Sequence, residues 1–333
     1  MELNKPNYTE LVTQIGDLLD KGRAQAARAI NIALLQTYWQ VGKNIVEYEQ
    51  EGKPKADYGS GLLNKLSRDL SERYGKGFGR SNLFYMRKLY TSFSNSGTLS
   101  HKLTWSHYYE ILKADNDLEV HFYTKQAEKE NWSVRELKRQ MKSMLFHRLA
   151  LSTDKEGILA LAEKGHEIQT PADIIKDPYV LEFLNIPTQD QYLEAELEAK
   201  LIQNLQAFLL ELGKGFAFIG RQYRISIAGR HFFVDLVFYH RILKCFVLID
   251  LKRGEIDHQD IGQMNFYLNY FRKEEATEGD NEPIGIVLGA YKDHILIEYA
   301  MENITNQLFV SKYQLYLPDK QALERELERL LAP

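Results

Sequence analysis

Apolar residues recur every three to four positions from Tyr8 to about Leu149 and then give way to short continuous apolar runs. That change of period divides the chain. In the first part Ile30, Leu34, Val41 and Ile45 form one apolar stripe, and Leu62, Leu66 and Leu70 form another. Leu83, Met86, Tyr90 and Phe93 make a third, on a helix expected to start at Ser81. Ser133 and Glu136 are spaced as a capping box that opens a helix through Leu137, Met141 and Leu145. No strand is expected here, and no heptad pattern is sustained long enough to predict a coiled coil.

Between about Ser152 and Asp190 the signals become short. Thr170 and Pro171 read as an N-cap followed by proline at the first helical position, and Pro178 and Pro187 punctuate the segment. Then Leu193, Leu197, Leu201, Leu205, Phe208 and Leu212 predict one long amphipathic helix stopped by Gly213. Strands are expected at Phe216–Ile227, His231–Tyr239 and Lys244–Lys252. A helix with Ile261, Met264, Leu268 and Phe271 inward follows, then strands at Ile284–Leu288 and Tyr313–Leu317 and a charged helix from Asp319. The expected organisation is a helical domain over 1–150, a connector with short helices over 151–189 and a mixed-sheet α/β domain over 190–333.

Residues 231–254 read HFFVDLVFYHRILKCFVLIDLKRG, two apolar arms around a short polar break. Each arm carries one acid where a buried strand ordinarily holds an aliphatic residue: Asp235 and Asp250. A turn centred between Ile242 and Leu243 pairs residues whose numbers sum to 485, and 235 + 250 = 485, so the acids face each other. Opposed like charges destabilise a strand pair, and buried charges are costly unless compensated. A hard divalent cation is the natural compensator. Lys252, two residues past Asp250, points to the same face. The competing reading is a shifted register with one acid at the surface.

Composition narrows the class. The 333 residues carry a net charge of −4, with 44% hydrophobic residues, and no apolar run is long enough to span a bilayer. The N-terminal MELNKPNYTE lacks an apolar core after basic residues, so no secretion signal is expected. The single cysteine, Cys245, lies in an apolar strand and reads as a small core residue. A cytoplasmic protein without membrane association is expected. The mild acidity argues against nonspecific coating of nucleic acid but leaves room for local basic patches. His240 has no partner at zinc-ligand spacing.

The order helix, strand, strand with Asp, strand with Asp-Leu-Lys, helix resembles that of the PD-(D/E)XK nuclease superfamily. Asp235 matches its first acidic position and Asp250-Leu251-Lys252 its second motif. More closely, the chain is similar to the YhcG-type nucleases. The matching phrases are YWQVGKNI (Tyr38–Ile45), LTWSHYYEILK (Leu103–Lys113), NWSVRELKRQM (Asn131–Met141), FLLELGKGFAFIGRQYRI (Phe208–Ile225) and VDLVFYH (Val234–His240). Asp250 stands where that family more often has Glu, and no proline precedes Asp235. The resemblance implies an α+β or α/β fold class: a helical N-terminal domain, then a restriction-endonuclease-like domain with a central mixed sheet flanked by helices.

It also implies a metal-dependent DNA endonuclease. Asp235, Asp250 and the Leu251 carbonyl would bind Mg²⁺ or Mn²⁺, and Lys252 would orient the attacking water. Glu198 is the candidate third carboxylate, with Glu194 and Glu196 as competitors and a solvated helix face as the plain alternative. Gln263, on the helix after the second motif, contacts a phosphate or base, or is an ordinary exposed residue. Arg221, Gln222 and Arg224 contact the DNA backbone or simply decorate an edge strand. In the N-terminal half, Leu62–Tyr74, GKGFGR and the next helix have helix-turn-helix proportions. Arg80, Asn82, Tyr85, Arg87 and Lys88 are the candidate groove residues, and protein partners or self-association are the alternative. Trp105, His107 and Trp132 read as packing residues. The competing function is a non-catalytic DNA-binding or adaptor subunit of a defence or repair complex. Roles in recombination, repair or defence against foreign DNA rest on the family alone, as does a homodimer suited to double-strand cleavage.

Overall fold

A computed structural model describes the chain apart from residues 1–7, 52–57, 94–98, 152–154, 187–192, 292, 303, 305 and 332–333. The expected punctuation at Pro187 and the expected boundary at 189/190 lie outside the described residues. Two compact units are formed, Met1–Lys138 and Arg139–Pro333.

The first unit is helical among the described residues: α1 (Tyr8–Glu51), α2 (Tyr58–Tyr74), α3 (Arg80–Ser92), α4 (Trp105–Ile111) and α5 (Asp117–Glu130), with α6 (Val134–Lys142) running across its end. Leu83, Met86 and Leu89 of α3 are fully buried, and Leu83 and Met86 share a core with Ile45 of α1 and Leu63 of α2. Gly42 lets α1 approach α3 closely, because a Cβ there would lie 2.0 Å from the Met86 carbonyl oxygen. Ser133 and Glu136 form the expected reciprocal cap, Ser133 N–H to Glu136 at 2.7 Å and Glu136 N–H to Ser133 at 3.3 Å. Trp105 packs edge-on against Tyr38 at 4.8 Å, and His107 bonds the Trp132 carbonyl at 3.0 Å, so these residues are packing groups. One expectation fails: Ile30 and Leu34 are exposed, 68% and 38%, and the buried stripe begins at Leu35.

The second unit continues with α7 (Leu145–Ala150), α8 (Lys155–Lys164), β1 (Tyr179–Val180), α9 (Glu194–Gln203), α10 (Leu205–Leu212), β2 (Phe216–Ile227), β3 (Arg230–His240), β4 (Cys245–Glu255), α11 (His258–Tyr270), β5 (Ile284–Tyr291), α12 (His294–Met301), β6 (Gln307–Gln314) and α13 (Lys320–Leu331). The strands form one mixed sheet in the order β1-β6-β5-β4-β3-β2. The β2–β3–β4 meander is antiparallel, and β5, β6 and β1 are added in parallel. Both faces are covered. Leu197, Leu201, Phe208 and Leu212 pack with Leu236, Phe238, Val247, Ile249 and Leu251. Ile261, Met264, Leu268 and Phe271 pack with Val237, Leu248 and Val287. Burial on both faces explains why these strands read as continuous apolar runs.

Two sequence expectations are corrected. The single helix from Leu193 to Leu212 is two helices broken at Asn204, whose side-chain amide and backbone N–H both turn back to the Lys200 carbonyl. The last strand is Gln307–Gln314 rather than Tyr313–Leu317. Its inward positions include the fully buried Ser311, which interrupts the apolar pattern.

The edge strand β1 is fixed by buried charge. Glu211 of α10, fully buried, accepts the Val180 N–H at 2.9 Å and pairs with Arg148 at 2.7 Å and Arg139 at 3.1 Å. Lys176 donates to the Glu211 backbone carbonyl. Burial alone would raise the Glu211 carboxyl, but Arg148 above all, with Lys176 and Arg139, holds it down at about 2.

Candidate active site

The hairpin has the register that the sum of 485 requires. Leu236 pairs with Ile249, Val237 with Leu248, Phe238 with Val247 and His240 with Cys245. The ladder ends one step before the two acids. There the Asp235 carboxylate takes the place of a backbone acceptor and receives the Leu251 N–H at 2.8 Å. Alternation along β4 sends Val247, Ile249 and Leu251 into one core and Leu248 into the other, so Asp250 and Lys252 follow Leu248 toward α11.

Asp250 is 3% exposed. Burial first, and the Asp235 charge second, push its carboxyl up to about 7 against the pull of Lys252. Its Oδ2 lies 2.9 Å from Lys252 Nζ, yet this buried oxygen accepts no hydrogen bond of good geometry. Lys252 Nζ also lies 3.2 Å from Asp260, at the start of α11. Burial lowers the lysine, but the two acids outweigh it and hold it above its ordinary range.

Glu198 enters from α9, 7% exposed beside fully buried Leu197 and Leu201. Gln222 of β2 joins it to the hairpin: the amide Nε2 donates to Glu198 Oε2 at 2.6 Å and to Asp235 Oδ1 at 3.0 Å. Burial raises the Glu198 carboxyl, as does Asp235, while the Gln222 bond and Arg221 lower it, and the net effect is upward. The competing acids are used elsewhere. Glu194 receives the Arg253 N–H at 3.0 Å, tying α9 to the chain just past Lys252. Glu196 is exposed and caps α9 by accepting the Leu193 N–H at 3.0 Å.

Gln222 sits in left-handed backbone, φ 46°, within a strand. Such a conformation costs a non-glycine residue of order 1–3 kcal/mol, and it aims this side chain between two carboxylates. The β2–β3 pairs here sum to 457 (Arg221 with Leu236, Tyr223 with Val234), and 222 + 235 = 457 sets Gln222 opposite Asp235. Sequence reasoning missed this contact and the Asp260 contact. The 457 register was the available signal for the first, and the Asp257-x-x-Asp260 capping spacing five residues past Lys252 for the second.

The remaining candidates are distributed as follows. Gln263 is exposed and donates to the Tyr267 hydroxyl at 2.5 Å, and that hydroxyl donates to the Phe233 carbonyl at 2.9 Å. Arg221 and Arg224 are exposed on edge strand β2, and Arg224 contacts His231 at 2.9 Å. In the first unit Arg80 is exposed. Asn82 donates to the Gly77 carbonyl at 2.9 Å, and Tyr85 packs at a tilt against Tyr109 with ring centres 4.6 Å apart. Arg87 pairs with Glu49 at 3.1 Å, and Lys88 donates to the Ala114 carbonyl at 2.7 Å.

The donor set fits a divalent cation. Gln222 links Glu198 to Asp235, the Asp235 charge acts on Asp250, and one buried Asp250 oxygen has a lone pair that no protein donor uses properly. A Mg²⁺-sized ion takes carboxylate oxygens and retains water, which suits oxygen donors on a partly open strand end.

Residues 172–328 match the model of the YhcG PDDEXK nuclease domain, and residues 14–148 match the DUF1016 N-terminal domain. Over 98% of the chain and 95% of its counterpart, the sequence is 37% identical to the YhcG protein of Escherichia coli (strain K12). The chain belongs to the YhcG nuclease family. Asp235, Asp250 and Lys252 all lie inside the stretch matched by the nuclease-domain model. Among solved structures, a repair endonuclease from Pyrococcus abyssi is 21% identical over 40% of this chain and 50% of its own length, with a TM-score of 0.28. EndoMS in a complex with dsDNA is 18% identical over the same shares, with a TM-score of 0.27.

Removing the amide that joins two of the carboxylates tests the geometry. Gln222→Ala is expected to weaken Mn²⁺ binding about 10- to 100-fold, as loss of groups that orient metal ligands does. Calorimetric titration of the metal-free protein measures this, and unchanged affinity would show that the amide does not position them.

Proposed function

We propose that the protein is a divalent-metal-dependent DNA endonuclease whose second unit hydrolyses phosphodiester bonds. The observation that carries this reading is the chain of contacts from Glu198 through Gln222 to Asp235, with Asp250 paired to Lys252 at 2.9 Å beside it and a buried Asp250 oxygen that accepts no well-formed hydrogen bond. Asp235, Asp250, Glu198 and the Leu251 carbonyl would hold Mg²⁺ or Mn²⁺. When bound, the ion acts as a Lewis acid on the phosphate and lowers the pKa of its water.

The chain's own residues supply the rest. Lys252, held between Asp250 and Asp260, orients the attacking water and offsets charge that develops on the phosphoryl oxygens. Gln222 keeps Glu198 and Asp235 close by donating one amide to both. Gln263 and Tyr267 brace β3 at Phe233, two residues before Asp235, and Gln263 is exposed enough to meet a phosphate as well. Arg221 and Arg224 on the edge strand are the backbone contacts for DNA.

For the first unit, the observation that Arg87 and Lys88 are spent on Glu49 and the Ala114 carbonyl favours partner binding over groove reading. The nuclease reading is tested by incubating purified protein with plasmid, linear, branched and single-stranded DNA and with RNA, in Mg²⁺, in Mn²⁺ and in chelator. Cleavage of DNA only with metal is expected. Cleavage that persists in chelator would overturn the metal site, and no cleavage of any substrate would leave the adaptor reading in its place.

A further inference from the structure

We infer that Phe233 stacks on a DNA base beside the bond to be cut, so that the site takes single-stranded DNA or the unpaired arm of a branched DNA. The inference rests on the nuclease reading and names the DNA that its site accepts. Beyond the end of the β3–β4 ladder, β3 runs on with β2 as a two-stranded ribbon. Its pairs are Tyr223 with Val234, Arg224 with Phe233, Ile225 with Phe232, Ser226 with His231 and Ile227 with Arg230, closed by a turn at Ala228 and Gly229. Alternation gives this ribbon two unlike faces. On one face Ile225 and Val234 are fully buried, Tyr223 packs against Phe271 at 5.3 Å and Phe232 against Phe266 at 4.8 Å. On the other, Gln222, Arg224, Ser226, His231 and Phe233 are all exposed. The ribbon is thus fixed to α11 by its back, and its open face runs outward from the Gln222–Asp235 hydrogen bond.

A scattered exposed apolar side chain needs no explanation. Phe233 is set apart by its position. It is 47% exposed on an otherwise polar face and stands two residues from Asp235, about 7 Å along the strand. That is a nucleotide or two from a phosphate held at the carboxylates. Its carbonyl accepts the Tyr267 hydroxyl at 2.9 Å, so the backbone that carries the ring is held in place. A phenyl ring has no donor or acceptor with which to read the edge of a base pair. What it can bind is the face of a base. In a duplex the neighbouring pairs cover those faces, and in a single strand they are open.

Charge says what covers this face. Residues 221–234 hold Arg221, Arg224, Arg230 and His231 and no acid, in a chain whose net charge is −4. All three arginines are exposed. Arg224 stands directly across the ribbon from Phe233. Its guanidinium lies 2.9 Å from His231 Nε2, and His231 Nδ1 lies 3.0 Å from the Ser226 hydroxyl. A cation is thereby fixed beside the ring, where the phosphate of a stacked nucleotide would lie. A basic track with an aromatic platform is the combination that holds single strands.

The test is the affinity of the full chain for a fluorescein-labelled mixed-sequence oligonucleotide and for the same strand annealed to its complement, read by anisotropy in chelator. Phe233→Ala is expected to bind the single strand roughly 5- to 150-fold more weakly, the value of one stacked base, with little change on the duplex. Phe233→Leu, which keeps an apolar side chain but no ring, should lose as much. Phe233→Trp should bind the single strand as wild type does, a rescue that general damage to the ribbon cannot produce. Single-strand affinity unchanged in Phe233→Ala, an equal loss on the duplex, or wild-type affinity in Phe233→Leu overturns the inference. Wild-type protein that binds neither DNA overturns it too and leaves the basic face to an acidic protein partner. Because binding is read without metal, the two readings fail separately. Absent cleavage with the expected binding pattern sinks the nuclease reading alone, and metal-dependent cleavage with Phe233→Ala binding as wild type sinks this inference alone.

Discussion

Lys252→Ala is expected to slow DNA cleavage about 100- to 1,000-fold, the loss typical when a preorganised group facing transition-state charge is removed. The residue bears this weight because of where its charge is held. Its Nζ lies between Asp250 at 2.9 Å and Asp260 at 3.2 Å, with the side chain only 19% exposed, so two ion pairs hold the ammonium at the site. The two acids hold it protonated through neutral pH despite burial. On the proposed reading it orients water and balances charge instead of serving as a base. Helix content should be retained, since the side chain ends at the site and not in either core. Single-turnover rates measured at saturating metal check this, and a rate within a few-fold of wild type would remove Lys252 from the chemistry.

Glu211→Gln is expected to destabilise the second unit by about 3–5 kcal/mol, the cost of leaving a buried charge unpaired. Arg148 is 1% exposed and loses its carboxylate partner, and the Arg139 contact at 3.1 Å is weakened with it. The melting temperature should fall by roughly 10 °C. The same group predicts acid sensitivity. Its folded pKa of about 2 lies below the ordinary value of 4.5, so its contribution is fully present above about 4.5 and is lost as the pH falls toward 2. A carboxyl held that far below its unfolded value contributes about 3 kcal/mol at neutral pH. In Glu211→Gln that part of the acid transition should vanish. An unchanged melting point in the variant would mean that the arginines find other partners.

The hairpin was legible in the sequence because two simple rules constrained it. Period-2 alternation chose the faces, and the polar break at Arg241–Lys244 chose the register, so Asp235 and Asp250 could be set opposite each other by addition. The mixed sheet, the meander and the helical first unit were legible for similar reasons of period. What escaped depended on local backbone departures. The sequence does not mark the left-handed backbone at Gln222 that aims this side chain at Glu198 and Asp235. Residue type suggested a DNA contact for Gln222 instead. Choosing among Glu194, Glu196 and Glu198 required the rotation of α9, where one acid caps the helix, one ties down the chain at Arg253 and one is buried. The break at Asn204 was hidden by an apolar stripe that continues across it. Ile30 and Leu34 were read as core because apolar spacing reports a face and does not say what covers it.

We propose Asp250 as a metal-binding carboxylate and not a structural acid. Asp250→Asn keeps the size of the side chain and removes the charge that a cation needs. It also relieves the electrostatic strain that pushes this carboxyl up to about 7, so the variant should fold at least as well as wild type. The decisive measurement is the rate of plasmid cleavage in Mg²⁺ by wild-type and Asp250→Asn protein purified side by side. Cleavage by the wild type and loss of at least about 100-fold in the variant are expected. Equal rates from the two proteins would contradict it.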